Sequence, residues 1–135
     1  MNIFTPLFSK LKLPYFLSRV PAGFPSPAED YEESRLDLND FIEHPAATFF
    51  VRASGESMTG AGIFPGDLLI VDRSLQAKHN SIVIAVINGE MTLKRLIRRN
   101  GQCYLKADNP AYPNIALSDD ALIWGVVKNS VRDLE

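Results

Sequence analysis

From Thr48 onward the chain breaks into short apolar runs separated by turn-forming residues. The run "TFFVRAS" at 48–54 is β-branched and aromatic. Pro65-Gly66-Asp67 is a turn, and "LLIVD" at 68–72 follows it. The run "SIVIAVI" at 81–87 is apolar at nearly every position, which marks a strand covered on both faces. Asn88-Gly89 comes next, the strongest short hairpin signal a sequence carries. Its return strand is "EMTLKRLIR" at 90–98. "CYLKAD", "NIALS" and "LIWGVV" complete the series, with breaks at Asn109-Pro110 and at Ser118-Asp119-Asp120. Six or seven short strands in this span predict a mostly β domain, a compact coiled β-sheet or partial barrel.

The first 45 residues have a different texture. They hold six of the nine prolines, at 6, 14, 21, 25, 27 and 45. Each proline removes a backbone donor and pushes its predecessor into extended geometry. The stretch "GFPSPAEDY" is therefore expected to be extended and exposed. One short helix is expected around "SRLDLNDFIEH", where Leu38, Phe41 and Ile42 share a face and Pro45 ends it. No other regular element is expected there. Residues 1–45 thus form an N-terminal arm and residues 46–135 a β-rich domain.

Composition narrows the function. Hydrophobic residues make up 46% and charged residues 22%, a globular balance. A formal net charge of -2 argues against a protein built to neutralise phosphates. Lys94, Arg95, Arg98 and Arg99 form a local basic cluster, which fits a solvated strand end better than a contact for an acidic partner. The single cysteine, Cys103, permits no internal disulfide and fits a reducing cytoplasm. His44 and His79 are too scattered to join it in a zinc site, so no cofactor is expected. No stretch of 18 apolar residues occurs, so no membrane span is expected. Lys10, Lys12 and Pro14 interrupt the apolar region that a signal peptide needs.

Three features carry candidate chemistry. Ser57 lies in "ASGESMTG" between glycines, either as a nucleophile on a tight bend or as an ordinary loop serine. Lys94 lies on the return strand of the Asn88-Gly89 hairpin, sharing a face with Thr92 and Leu96. Against a dry strand its charged form is disfavoured, and a neutral amine is a usable general base. At a sheet edge the same lysine would face water and block aggregation. Ala22-Gly23 is a small-residue pair in an extended segment, of the kind a shallow protease cleft accepts.

Taken together, "GFPSPAEDY", "ASGESM", "PGDLLIVD", "GEMTLKRL" and "LIWGVV" resemble the LexA/UmuD-type serine–lysine peptidases from about Gly23 to the C-terminus. The similarity is greatest to the UmuD-type members, through "AGFPSPAEDY", the 37-residue spacing from Ser57 to Lys94, and "NPAYPNI". The resemblance implies a Ser-Lys dyad, with Ser57 as nucleophile and Lys94 as general base. It implies self-cleavage between Ala22 and Gly23, with the Ser57 amide contributing to an oxyanion hole. The partners it implies are a second copy of the chain, a RecA filament on single-stranded DNA, and an error-prone Y-family polymerase subunit of the UmuC type. The role implied is an accessory subunit for SOS-induced translesion synthesis. Glu56 stands where the family more usually has aspartate, next to the serine but outside the dyad. Two other readings share the fold: a LexA-like or phage-type repressor, and an inactive binding module. A repressor needs a DNA-binding domain before the cut, which 22 residues with three prolines do not supply, so sequence-specific DNA binding is not expected.

Overall fold

The computed structural model describes residues 3–5, 12–16 and 32–135, with backbone path alone at 12–16 and 32–36. Ala22, Gly23 and the whole of "GFPSPAEDY" lie outside the described residues. The chain divides into two compact units, one holding 3–5 and 44–135, the other 12–16 and 32–43. The strands are β1 (Ile3–Phe4), β2 (Lys12–Phe16), β3 (Glu32–Asp37), β4 (Thr48–Arg52), β5 (Leu68–Asp72), β6 (Ile82–Ile87), β7 (Glu90–Arg99), β8 (Gln102–Lys106), β9 (Ile115–Ala116) and β10 (Leu122–Val131).

In the first unit the strands join one open antiparallel sheet, in the order β1-β4-β5-β10-β6-β7-β8-β9. The strands from Thr48 onward fall where the apolar runs predict. Two Asn-Gly turns set the register of the central meander. Asn88 and Gly89 have φ of 51° and 77°, and Asn100 and Gly101 have φ of 53° and 75°. Paired positive φ values belong to the type I′ turn, whose twist matches the strands it joins. The first turn aligns Ile87 with Glu90, and the ladder runs from there to Val83 opposite Lys94.

Strand β6 is covered on both faces, as its unbroken apolar run predicts. Ile84 packs with Val51, Met58, Leu69, Val71 and Leu93 in one layer. Val83 and Ala85 pack with Leu96, Leu105 and Val126 in a second. All three β6 residues are completely shielded from solvent. The last strand, β10, inserts at the centre of the sheet between β5 and β6, with a register shift against each neighbour. Gly125 marks the shift against β6. A Cβ there would stand 2.6 Å from Val71 Cγ1, so only glycine lets the two strands approach.

The second unit differs from expectation. Residues 12–16, despite Pro14, pair antiparallel with residues 32–37 as β2 and β3. The helix expected around residues 34–44 does not form. Strand β3 takes residues 32–37, leaving a four-residue 3₁₀ turn at Leu38–Phe41. One turn is too short to offset helix nucleation, and Leu38 and Phe41 stay exposed. Asp37 caps the turn by accepting from the Asn39 amide at 2.9 Å.

Gly125→Ala should overpack the β5–β10 contact and lower stability by about 1–3 kcal/mol. Urea unfolding with an unchanged slope checks this, and a midpoint equal to wild type contradicts it.

Candidate active site

Ser57 lies in the irregular connection from β4 to β5, residues 53–67. Backbone bonds close the base of this loop: Ala53 donates to the Asp67 carbonyl at 2.8 Å, and Gly66 to the Ala53 carbonyl at 2.9 Å. The Asp67 carboxylate, almost fully buried, accepts from the Phe64 amide at 2.9 Å and from Arg132 Nε at 2.8 Å. Burial alone would raise its pKa. Those hydrogen bonds and the guanidinium charge outweigh burial and hold it below the ordinary carboxylate range. Arg132 also donates to the Gly62 carbonyl at 2.6 Å and lies over the Phe64 ring. Within the loop, Gly55 takes φ of 77°, which allows the bend two residues before the serine. Met58, 1% exposed, anchors the other side of Ser57 in the core.

The Ser57 hydroxyl donates to the Leu93 carbonyl at 3.1 Å. Lys94 Nζ donates to the same oxygen at 3.2 Å and to Thr92 Oγ1 at 2.8 Å. Hydroxyl and amine therefore converge on one acceptor and cannot be farther apart than the two distances together. The Ser57 hydroxyl donates to that carbonyl and not to Lys94. Lys94 is 6% exposed on a strand flanked by β6 and β8, so it is not an edge lysine in water. Burial pushes its pKa down. The Tyr112 ring centroid lies 5.8 Å from Nζ, near the outer limit at which a ring attracts a cation.

Other residues singled out in the sequence lie elsewhere. Arg95 follows Lys94, but its guanidinium grips Asp108 and donates to the Asn80 carbonyl. His44 Nδ1 lies 2.6 Å from Asp72 Oδ2. His79 Nδ1 accepts from the Arg98 amide at 3.0 Å. Cys103 is half-buried beside the second apolar layer. A groove of about 700 Å³ runs past Asn80, Arg95, Arg99, Lys106, Asp108 and Tyr112, and neither Ser57 nor Lys94 lines it. Thr92 was readable from period-2 spacing as a neighbour of Lys94. The Leu93 carbonyl and the Asp67–Arg132 contact were not, because backbone acceptors and long-range ion pairs leave no local pattern.

Comparison with known proteins matches residues 14–128 to the family model "Peptidase S24-like". The chain belongs to the Peptidase S24-like family. Among its relatives, Protein MucA of Salmonella typhimurium is 46% identical over 122 residues, 88% of this chain and 84% of that protein. Protein ImpA of Shigella flexneri is 49% identical, covering 88% and 83%. The LexA repressor of Pseudomonas chlororaphis is more distant, 35% identical over 86% of this chain and 59% of the repressor. Within the Peptidase S24-like family the chain is a UmuD-type member. Among the described residues no helix is long and apolar enough to cross a membrane.

The burial of Lys94 has a measurable consequence. Its folded pKa is below that of the unfolded chain, so between the two values the unfolded state holds more protons and stability rises with pH. Each unit of depression is worth about 1.4 kcal/mol. From neutral pH to pH 10, wild type should therefore gain stability relative to Lys94→Met in urea unfolding. Equal gains in both proteins would contradict a depressed lysine.

Proposed function

We propose that the chain is a self-cleaving serine peptidase in which Ser57 and Lys94 form the dyad and Ala22-Gly23 is the scissile bond. The observation that carries this reading is the convergence of the Ser57 hydroxyl and the buried Lys94 amine on the Leu93 carbonyl. Membership of a peptidase family supports it.

Neutral Lys94 accepts the Ser57 proton once the hydroxyl turns from Leu93 toward the amine. Oγ attacks the Ala22 carbonyl carbon, and the electron pair moves onto the carbonyl oxygen. The Ser57 amide makes no backbone hydrogen bond among the described residues and is free to donate to that oxyanion. As the intermediate collapses, the bond to the Gly23 nitrogen breaks, and Lys94 returns the proton to the leaving amine. Water then hydrolyses the ester on Ser57. The scissile bond is tethered to the domain, so its effective concentration is high and weak recognition suffices. Control then rests on how often the arm adopts the cleavable pose, and an activator acts by shifting that population.

The biological role proposed is that of an accessory subunit of an SOS-induced translesion polymerase. Its activator is the RecA filament on single-stranded DNA. The fragment from Gly23 to Glu135 dimerises and joins a UmuC-like polymerase subunit. High identity to MucA and ImpA over most of both chains supports this reading above a repressor.

Purified chain incubated with RecA, single-stranded DNA and nucleotide should release a fragment that begins at Gly23, detected by mass spectrometry. Ser57→Ala and Lys94→Ala should release none. Without activator the rate should rise with pH until Lys94 is neutral and then level off. A different new N-terminus overturns the site assignment, and a rate flat from neutral to strongly alkaline pH overturns the role of Lys94.

A further inference from the structure

The Ser57 loop is held from a second side by the turn after β8. The Gly60 amide donates to the Asp108 carbonyl at 2.7 Å. The Asp108 amide points to Met58 Sδ at 3.4 Å, and Asn109 Nδ2 donates to the Glu56 carbonyl at 2.8 Å. These contacts fall one residue before Ser57, one after it and three after it. Approach at Gly60 is so close that any Cβ would collide with the Asp108 carbonyl oxygen.

Asp108 is itself tied to the strand that carries the lysine. Arg95 Nε lies 3.2 and 3.1 Å from its two carboxylate oxygens, and Nη2 lies 2.7 Å from the second. Arg95 Nη1 fixes the guanidinium further by donating to the Asn80 carbonyl at 2.8 Å. The pair is partly buried, 24% and 17% exposed, and its forked geometry resists rotation. Strand pairing does not need it, because β7 and β8 are already aligned from Arg95–Lys106 to Arg99–Gln102. Arg95 also stands directly opposite Lys106, a like charge across the ladder.

We propose that the 108–109 turn, braced by the Arg95–Asp108 ion pair, is a positioning clamp that holds the Ser57 loop in register with the Lys94 strand. Arg95, Asp108 and Asn109 are positioning residues that touch no reacting atom. The nucleophile and the base thus share a reference frame that does not depend on their own contact with Leu93. This inference rests on the reading of Ser57 as nucleophile, and its test separates the two.

The full chain is treated with a fluorophosphonate, which labels an activated serine without needing a peptide in the cleft. Labelling is followed against probe concentration at a temperature where every variant is fully folded. Asp108→Asn, Arg95→Ala and Asn109→Ala should each lower the maximal labelling rate on the order of tenfold, with the half-saturating concentration unchanged. The Arg95→Ala/Asp108→Asn double variant should be no slower than the slower single, because both changes remove one device. Should Asp108→Asn not fold, Arg95→Lys carries the test: it keeps the charge, loses the fork, and should show the same loss. Wild-type maximal rates in these variants, with Ser57→Ala unlabelled, overturn the clamp and leave the nucleophile standing. Equal labelling of wild type and Ser57→Ala overturns the nucleophile, and the clamp's role with it.

Discussion

The backbone oxygen of Leu93 accepts from both Ser57 Oγ and Lys94 Nζ, and the rest of the site is arranged around that shared acceptor. One donor arrives from an irregular loop and the other from a central strand. The strand side is fixed by register. The Asn88-Gly89 turn sets the β6–β7 ladder, and a slip of one residue would send Lys94 to the opposite face. The loop side is fixed by the Ala53–Asp67 closure, the Asp67–Arg132 contact and the burial of Met58. Each of these belongs to ordinary β architecture, and together they bring a hydroxyl and an amine to one oxygen.

Two influences act on the lysine in opposite directions. The Leu93 carbonyl, an acceptor only, favours the protonated amine. Removal from water disfavours it, and burial prevails. Thr92 Oγ1 does not decide the balance. A hydroxyl both accepts and donates, so it can serve the ammonium and the neutral amine alike. The Thr92 contact is thus compatible with either protonation state of Lys94. The cost of burying an ionisable group falls on folding stability and is carried by apolar layers on both faces of β6.

Much of this fold is legible in local pattern. The unbroken run at 81–87 announced a strand covered on both sides, and Asn88-Gly89 announced its hairpin. Those two signals alone place Lys94 against Val83. The regions that were not legible depend on distant partners. Residues 34–37 open the segment expected to be a helix, yet β2 captures them in a strand across an intervening stretch. The insertion of β10 at the sheet centre depends on Gly125 meeting Val71, a contact far apart in sequence. Asp108 and Asn109 form a turn of ordinary appearance, and only the folded chain shows them against Glu56, Met58 and Gly60. Ser57 itself sat between readings. Its eight-residue neighbourhood fits a soluble loop as well as a nucleophile, and the difference lies 36 residues away.

In the proposed dyad, Lys94 serves as the base because the fold dries it. The direct measurement is a titration of the Lys94 side chain by NMR, with carbon-labelled lysine in the Ser57→Ala chain. The Lys94 resonance, assigned by its loss in Lys94→Met, should titrate below the ordinary lysine value of about 10.4. A midpoint at or above that value would mean that the Leu93 carbonyl outweighs burial, and the proposed base would be an ammonium at every pH at which the protein works.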